Sequence, residues 1–158
     1  MNINIICIGK LKEKYWTAAI EEYSKRLGSY CSLKIVELKE SKLPKNASQA
    51  DELSVINKEG EEILAKIGDG DYVVALEVEG KLLDSVELAR EVEAAAFQHS
   101  TIDFVIGGSL GLSAAVKQRA NLGLSFGRIT LPHQLARVVL LEQIYRAFKI
   151  INKETYHK

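Results

Sequence analysis

Three short apolar runs constrain the fold of this chain more than any other feature. They are Ile3–Ile8, Tyr72–Val78 and Asp103–Ile106, and each is followed closely by glycine. Apolar runs of this length are typical of strands that are buried on both faces of a parallel sheet. Segments with helical periodicity separate them. The sequence therefore predicts an α/β fold with a mostly parallel sheet and helices on both faces.

The other elements follow from apolar spacing and from capping signals. A further strand is predicted at 33–38, and residues 122–131 form one short strand or two, while the turn at 78–80 ends the strand that begins at Tyr72. Helical spacing predicts helices over residues 15–27, 48–67, 85–98, 113–120 and from Pro132 to about 151. The 158 residues contain no linker or internal repeat, so one domain spanning 1–158 is predicted.

Composition excludes several classes of protein. Only two cysteines occur, Cys7 and Cys31, which is no disulfide framework, and the three histidines have no metal-ligand spacing. No secretory signal is visible, and no stretch approaches the ~20 apolar residues of a membrane span. We therefore expect a cytoplasmic protein without a bound metal.

The zero net charge hides an asymmetry along the chain. Residues 1–110 hold 13 Lys and Arg against 19 Asp and Glu, whereas residues 111–158 hold 8 against 2. A basic last third suits an anionic ligand. The alternative is that the two parts attract each other or a second subunit.

The predicted strands end at glycines, and ligands of such folds bind at the carboxyl ends of the strands. The segment 107–112 follows a strand and precedes a helix, so its backbone N–H groups could face a ligand. It does not match the dinucleotide fingerprint, and no phosphate-binding GxxxxGK[ST] motif occurs. The alternative is a tight turn without a ligand.

Two later segments have apolar patterns that suggest contacts. The loop 126–133, with one glycine and one proline, is suited to enclosing a flat ring such as adenine, or it is simply a core connection. The last helix is apolar on most sides, which predicts a subunit interface or, alternatively, a central core helix.

Basic and aromatic side chains near the end of the chain form a candidate substrate site. Arginine pairs with phosphates, and tyrosine or histidine stacks on a base that is splayed out of RNA. The alternative is a solvated helix face followed by a disordered tail. The candidates that could gather are His133, Arg137, Arg146, Tyr156 and His157.

Several stretches resemble a known family over essentially the whole chain. They are IGGSLGL, LSFGRITLPHQLARVVLLEQIYRAFKI and the terminal YHK, with GKLKEKYW and KEGEEIL in support. They resemble the bacterial pseudouridine N3-methyltransferases of the large ribosomal subunit, in the SPOUT superfamily. The resemblance implies a C-terminal trefoil knot, a homodimer, S-adenosylmethionine as cofactor, and as substrate a pseudouridine in the intersubunit hairpin of 23S rRNA on the assembled ribosome.

The resemblance also implies site residues. The cofactor contacts map onto nine positions: Leu76, Gly107, Gly108, Phe126, Gly127, Arg128, Ile129, Thr130 and Leu131. Arg137 and the tail residues Tyr156, His157 and Lys158 are predicted to act on the substrate, with His157 as the candidate proton acceptor. Arg137, Tyr156 and His157 are the predicted catalytic residues. Two other classes stay open: an α/β enzyme with a nicotinamide or flavin cofactor, and a non-catalytic RNA-binding or ribosome-binding module.

Overall fold

The computed structural model describes the whole chain, from Met1 to Lys158, and its centre is one sheet of five parallel strands. The strands are β1 (Asn2–Ile8), β2 (Ser32–Leu38), β3 (Tyr72–Leu82), β4 (Thr101–Ile106) and β5 (Leu122–Ser125), in the order β2-β1-β4-β3-β5. The helices are α1 (Lys14–Leu27), α2 (Gln49–Leu64), α3 (Ser85–Gln98), α4 (Ala114–Arg119) and α5 (His133–Ile151). The predicted α/β fold with a parallel sheet is confirmed.

Side chains alternate between the two faces of the sheet, so both faces are buried. On β1, Ile3, Ile5 and Cys7 join the core beneath α1, α3 and α5, whereas Ile6 and Ile8 join a smaller core beneath α2 and α4. This arrangement explains why the central strands are apolar at nearly every position. The predicted placement of helices on both faces is confirmed.

Two helices, α3 and α4, begin at side-chain caps. Asp84 accepts a hydrogen bond from the backbone N–H of Glu87, and the Glu87 carboxylate accepts one from the N–H of Asp84. Ser113 caps α4 through the N–H of Val116. Such caps satisfy backbone donors that the first turn of a helix leaves free.

Two sequence expectations about strands were wrong or only partly right. The turn expected at 78–80 is a register shift inside β3, which pairs with β5 through Leu76 and again through Lys81. An added Cβ at Gly80 would lie 2.6 Å from the backbone carbon of Gly123, so only glycine lets these strands pass so closely. Residues 128–131 form no strand, and β5 is the single strand of the 122–131 segment.

The apolar last helix is largely buried within its own chain. α5 packs against both α1 and α3, and Leu140, Leu141, Ile144 and Ala147 are fully buried. From the sequence, the apolar residues on most sides of this helix predicted either a subunit interface or a central core helix. Packing inside the chain accounts for it, so the composition of α5 no longer argues for a homodimer.

A buried carboxyl group lies on β4, away from the carboxyl edge of the sheet. Asp103 is fully buried, and its Oδ1 accepts a hydrogen bond from Asn4 Nδ2 at 2.7 Å, while Oδ2 has no partner. Burial, reinforced by the Asp71 carboxyl beside it, raises the pKa of Asp103 to about 6 although the Asn4 bond opposes the shift. Asp103 therefore keeps its proton to a higher pH in the folded state than in the unfolded chain.

We expect Asp103→Asn to stabilise the protein at pH 8 and to change little at pH 4. A raised pKa means that the wild type loses stability as pH rises from the unfolded value near 3.8 through about 6. Asparagine cannot ionise and keeps the oxygen that accepts from Asn4. The substitution should therefore restore at most about 3 kcal/mol of unfolding free energy at pH 8. Urea unfolding at both pH values measures this, with Asp69→Asn on the exposed loop nearby as the control. Equal pH dependence in the wild type and Asp103→Asn would contradict the assignment.

Candidate active site

A cavity of about 410 Å³ opens at the carboxyl edge of the sheet. Its walls come from the end of β3, from the segment that follows β4 and from the loop 126–132 that follows β5. This is the edge at which parallel α/β sheets bind ligands, and the volume lies within the usual range for small-molecule sites. The cavity is therefore the candidate active site.

The segment after β4 is a tight turn that only small residues can form. Gly111 N–H donates to the Gly108 carbonyl at 3.1 Å, and Gly111 has a φ of +84°. An added Cβ at Gly107 would lie 2.9 Å from the Gly111 backbone. An added Cβ at Gly108 would lie 3.2 Å from Glu59 Oε1. These close approaches bring backbone, rather than side chains, to the cavity wall.

The loop after β5 forms the outer wall of the cavity. Ser125 Oγ donates to the Val78 carbonyl at 2.8 Å and accepts from Gly127 N–H at 3.1 Å, which ties the loop to β3. Gly127 has a φ of +108°, and Ile129 is 79% exposed although it lines the cavity. An exposed apolar side chain at a cavity mouth is available for a ligand or a second subunit.

The structure brings most of the predicted cofactor residues to this one cavity. Arg128 is the exception, because it is exposed on the loop and does not line the cavity. The lining residues among the nine predicted are Leu76, Gly107, Gly108, Phe126, Gly127, Ile129, Thr130 and Leu131. No ligand tests their role, so cofactor binding by these residues stays a prediction.

Three charged residues of the cavity were missed from the sequence. Glu77 and Glu79 lie on β3, and Lys117 on α4 forms an ion pair with Glu77 at 3.6 Å. Glu77 Oε1 lies 2.2 Å from where a Cβ of Gly123 would be, so that glycine leaves room for the carboxylate. The two glutamates could have been found from their position at the end of a predicted parallel strand, where side chains reach the ligand-binding edge of the sheet.

His133 and Arg137 lie one turn apart at the start of α5 but have different surroundings. His133 lines the cavity, and its Nε2 lies 3.7 Å from where a Cβ of Gly9 would be. Arg137 is only 1% exposed; its Nη1 donates to Glu37 Oε2 at 2.8 Å and its Nη2 to the Gly9 carbonyl at 3.2 Å. Contact between Arg137 and a substrate would require the Glu37 pair to open.

The tail folds back onto α5 instead of extending into solvent. The centroid of the Tyr156 ring lies 5.0 Å from the centroid of the Tyr145 ring and 4.6 Å from Cζ of the Arg146 guanidinium. Its hydroxyl donates to Glu142 Oε1 at 3.2 Å, and Arg146 also pairs with Glu142. The preceding turn is held by Glu154, which accepts from the Tyr30 hydroxyl at 2.9 Å. The alternative of a disordered tail is therefore wrong.

These contacts set the protonation of the tail groups. Burial, with the Glu142 carboxylate, raises the pKa of the Tyr156 phenol, so this group acts as a hydrogen-bond donor. Arg146 Nη1 lies 3.3 Å from His157 Nδ1. Because arginine can only donate, Nδ1 must accept, which leaves the ring proton on Nε2. In this arrangement Nδ1 of His157 is occupied by the Arg146 donor.

The predicted substrate residues are not gathered at one place within a single chain. Arg146 lies nine residues beyond Arg137, which is about 13 Å along a helix, and His133 is a further turn away. The tail lies beside Arg146, and Lys158 is exposed at the chain end. The five candidates therefore divide into His133 at the cavity, Arg137 buried beside β1, and a cluster of Arg146, Tyr156 and His157.

The fold and the cavity define a class of α/β protein with a cavity at glycine turns beyond a parallel sheet. The chain belongs to the SPOUT methyltransferase family: the family model described as "Predicted SPOUT methyltransferase" matches residues 1–157. The predicted family and the predicted methyltransferase class are confirmed, which sets aside a nicotinamide or flavin enzyme and a non-catalytic module.

Curated relatives match over their full length. The chain is 56% identical to "Ribosomal RNA large subunit methyltransferase H" of Leuconostoc mesenteroides, 58% to that of Limosilactobacillus reuteri and 57% to that of Clostridium novyi. Each match covers 100% of both chains.

The structure shows neither a metal site nor a helix that could cross a membrane. No group of histidine, cysteine, aspartate and glutamate side chains is arranged to hold a metal ion. No helix combines the length and the apolar character that crossing a membrane requires.

Proposed function

We propose that this protein transfers a methyl group from S-adenosylmethionine to N3 of a pseudouridine in the intersubunit hairpin of 23S rRNA, on the assembled ribosome in the cytoplasm. One observation carries the proposal: a single cavity, in a chain of the SPOUT methyltransferase family, collects eight of the nine predicted cofactor residues. Full-length relatives whose printed name is ribosomal RNA large subunit methyltransferase support the substrate class.

The residues of the cavity fit this cofactor. Half of its 18 lining residues are hydrophobic, which suits a ligand with a flat ring at one end and charged groups at the other. Phe126, Ile129 and Leu131 offer apolar surface to the adenine, while backbone groups of the same loop can read the edge of the ring. Because Lys117 pairs with Glu77, Glu79 leaves the cavity with a net negative charge, which favours a cationic ligand.

When bound, S-adenosylmethionine supplies an electrophilic methyl group on a positively charged sulfur. The chain must then hold the base against the cavity mouth, and positioning of this kind can contribute ~7–11 kcal/mol. His133, at the edge of the cavity, is placed to contact the base. Arg137 is neutralised by Glu37 in the arrangement described above, and its role is to hold the Gly9 turn against His133.

The N3 of a uracil-like ring carries a proton that must be removed, and negative charge then develops on the ring. Tyr156, protonated at neutral pH, can donate a hydrogen bond to a ring carbonyl and so stabilise that charge. His157 accepts the N3 proton once Arg146 no longer donates to its Nδ1. Arg146 and Lys158 contribute positive charge for the flanking phosphates.

The tail is proposed to act at the cavity of a second subunit. The tail packs near Arg146, which lies ten residues along α5 from Ala136 in the cavity lining of the same chain, or roughly 15 Å. A homodimer removes this separation if α5 of one subunit approaches the cavity of the other. Exposed apolar side chains beside the cavity, Val78, Leu82 and Ile129, support an interface there.

The family also implies a trefoil knot in the C-terminal part of the proposed single domain 1–158. After β5, at the sheet edge, the chain returns across the ends of β3 and β4, and His133 comes close to Gly9 beyond β1. This return across the sheet edge supports a knot in this region, which would be one of the rare exceptions to unknotted topology. The knot would hold the two walls of the cavity together.

Transfer of a labelled methyl group from S-adenosylmethionine to intact ribosomes tests the proposed function. We expect the label in 23S rRNA, at one pseudouridine of the intersubunit hairpin. Ribosomes from a strain without that pseudouridine are the matched control, because uridine in its place keeps N3–H between two carbonyls but has C5–H where pseudouridine has a free N1–H donor. Absence of label from wild-type ribosomes, with cofactor binding intact, would contradict the proposal.

A further inference from the structure

Six exposed lysines line the carboxyl edge of the sheet beside the cavity, and the mechanism above uses none of them. Three follow β1 and three follow β2. We call this surface the lysine edge; it consists of Lys10, Lys12, Lys14, Lys39, Lys42 and Lys45. The two loops leave the sheet side by side, because Gly9 N–H donates to the Leu38 carbonyl at 2.8 Å.

The positive charge of the lysine edge is not neutralised within the chain. None of the six lysines forms an ion pair. Of the nearby acids, Glu37 is held by Arg137 and by the N–H of Leu11, and Glu59 is buried and accepts from the N–H of Ser41. Glu13 and Glu40 lie within the two loops, and Asp51, Lys58 and Glu62 of α2 line a hollow together with Lys39 and Lys42. Seven lysines against these four acids leave a local net charge of +3 in a chain whose overall net charge is zero.

The lysine edge is continuous with the cavity. It begins at Gly9, and His133 Nε2 lies 3.7 Å from where a Cβ of Gly9 would be, while the same histidine lines the cavity. At its far side Tyr15 is 65% exposed, and its ring is held edge-on against Trp16 at 5.1 Å. An exposed, fixed aromatic ring beside lysines is a common platform for unpaired bases.

We propose that the lysine edge binds the phosphate backbone of the RNA strand that flanks the target nucleotide, with Tyr15 stacking on a neighbouring unpaired base. This inference rests on the proposed function, since it assumes that the target base enters the cavity beside His133. A positive surface without internal partners fits a polyanion, and lysine binds phosphate as a mobile point charge. The lysine edge thus supplies RNA affinity that a neutral chain otherwise lacks.

The test removes three charges without touching the cavity. The variant Lys10→Gln/Lys12→Gln/Lys14→Gln is compared with the wild type in methyl transfer to intact ribosomes over a range of salt concentrations. We expect KM to rise and kcat to stay unchanged. The slope of log affinity against log salt concentration should become shallower by about 2. Each of the three lost phosphate contacts with a single strand reduces that slope by about 0.7.

A matched triple variant controls for loss of charge alone. Lys25, Lys34 and Lys66 are also exposed but lie towards the opposite edge of the sheet, so changing all three to glutamine should leave KM and the salt slope as in the wild type. Equal KM and slope in the lysine-edge variant and the wild type would overturn the proposal. So would an equal loss in the control variant.

The outcomes separate this proposal from the proposed function. If the wild type transfers no methyl group to ribosomes, the proposed function fails. If it does and the lysine-edge variant behaves identically, only the lysine edge fails. Photocrosslinking from Lys12→p-benzoylphenylalanine in the full chain then identifies the occupant: a crosslink to 23S rRNA supports the proposal, and a crosslink to a ribosomal protein overturns it.

Discussion

Deleting Tyr156–Lys158 is expected to lower methyl transfer to ribosomes by roughly 100- to 10,000-fold, the range that a positioned acid or base contributes. The same deletion should leave the affinity for S-adenosylmethionine unchanged, because the tail does not line the cavity of its own chain and is proposed to contact the base, not the cofactor, at the partner's cavity. The deletion should also preserve the fold, since the chain is still held by Glu154 and Tyr30. Single-turnover transfer and calorimetry measure the two quantities.

One further variant makes the tail experiment decisive. Tyr156→Phe keeps the ring on Tyr145 and Arg146 but loses the hydroxyl, so it isolates the hydrogen-bond donor from the packing. Turnover at the wild-type rate in the deletion variant would remove the tail from the mechanism.

A mixed dimer tests whether the tail acts on the other subunit. One subunit carries Gly107→Val in its cavity and an intact tail, and the other carries an intact cavity without residues 156–158. If the tail acts in trans, the mixed dimer regains activity from the one complete site, well above that of either variant alone at a cofactor concentration that Gly107→Val cannot saturate. If the tail acts within its own chain, the mixed dimer stays inactive.

Local patterns were sufficient to predict most of the fold. The apolar runs of β1 and β4, the capping box at Asp84 and the cap at Ser113 each depend on neighbours within a few residues. The extension of β3 was missed because Val78-Glu79-Gly80 has the composition of a turn. Pairing with β5 across Gly123 overrides that local preference, and it depends on residues more than 40 positions away.

The site was predictable where backbone forms it and less so where long side chains do. Gly107 and the 126–131 loop were found because glycine and a short apolar loop limit what a backbone can do. Arg137 was predicted to contact the substrate, yet its partner Glu37 lies 100 positions earlier in the chain, and no local pattern indicates that pair. The separation of the tail from the cavity depends likewise on the direction of α5, which only the packing against α1 and α3 determines.

The second large effect is expected at Gly107, because the position leaves no space for a side chain. Any Cβ there lies 2.9 Å from the backbone carbon and oxygen of Gly111 and 3.0 Å from Leu112 Cδ2. Valine must therefore displace the turn that forms one wall of the cavity. We expect Gly107→Val to weaken binding of S-adenosylmethionine at least roughly tenfold, or about 1.4 kcal/mol, as measured by calorimetry.

Gly70→Val is the matched control for that substitution. No atom lies within 4 Å of a Cβ at Gly70, which is on an exposed turn far from the cavity, so cofactor affinity should be unchanged. Thermal unfolding without cofactor distinguishes a local effect from global destabilisation: a moved turn lowers affinity more than it lowers Tm. Wild-type affinity in Gly107→Val would mean that the cofactor does not depend on this wall, and the cavity assignment would then have to be abandoned.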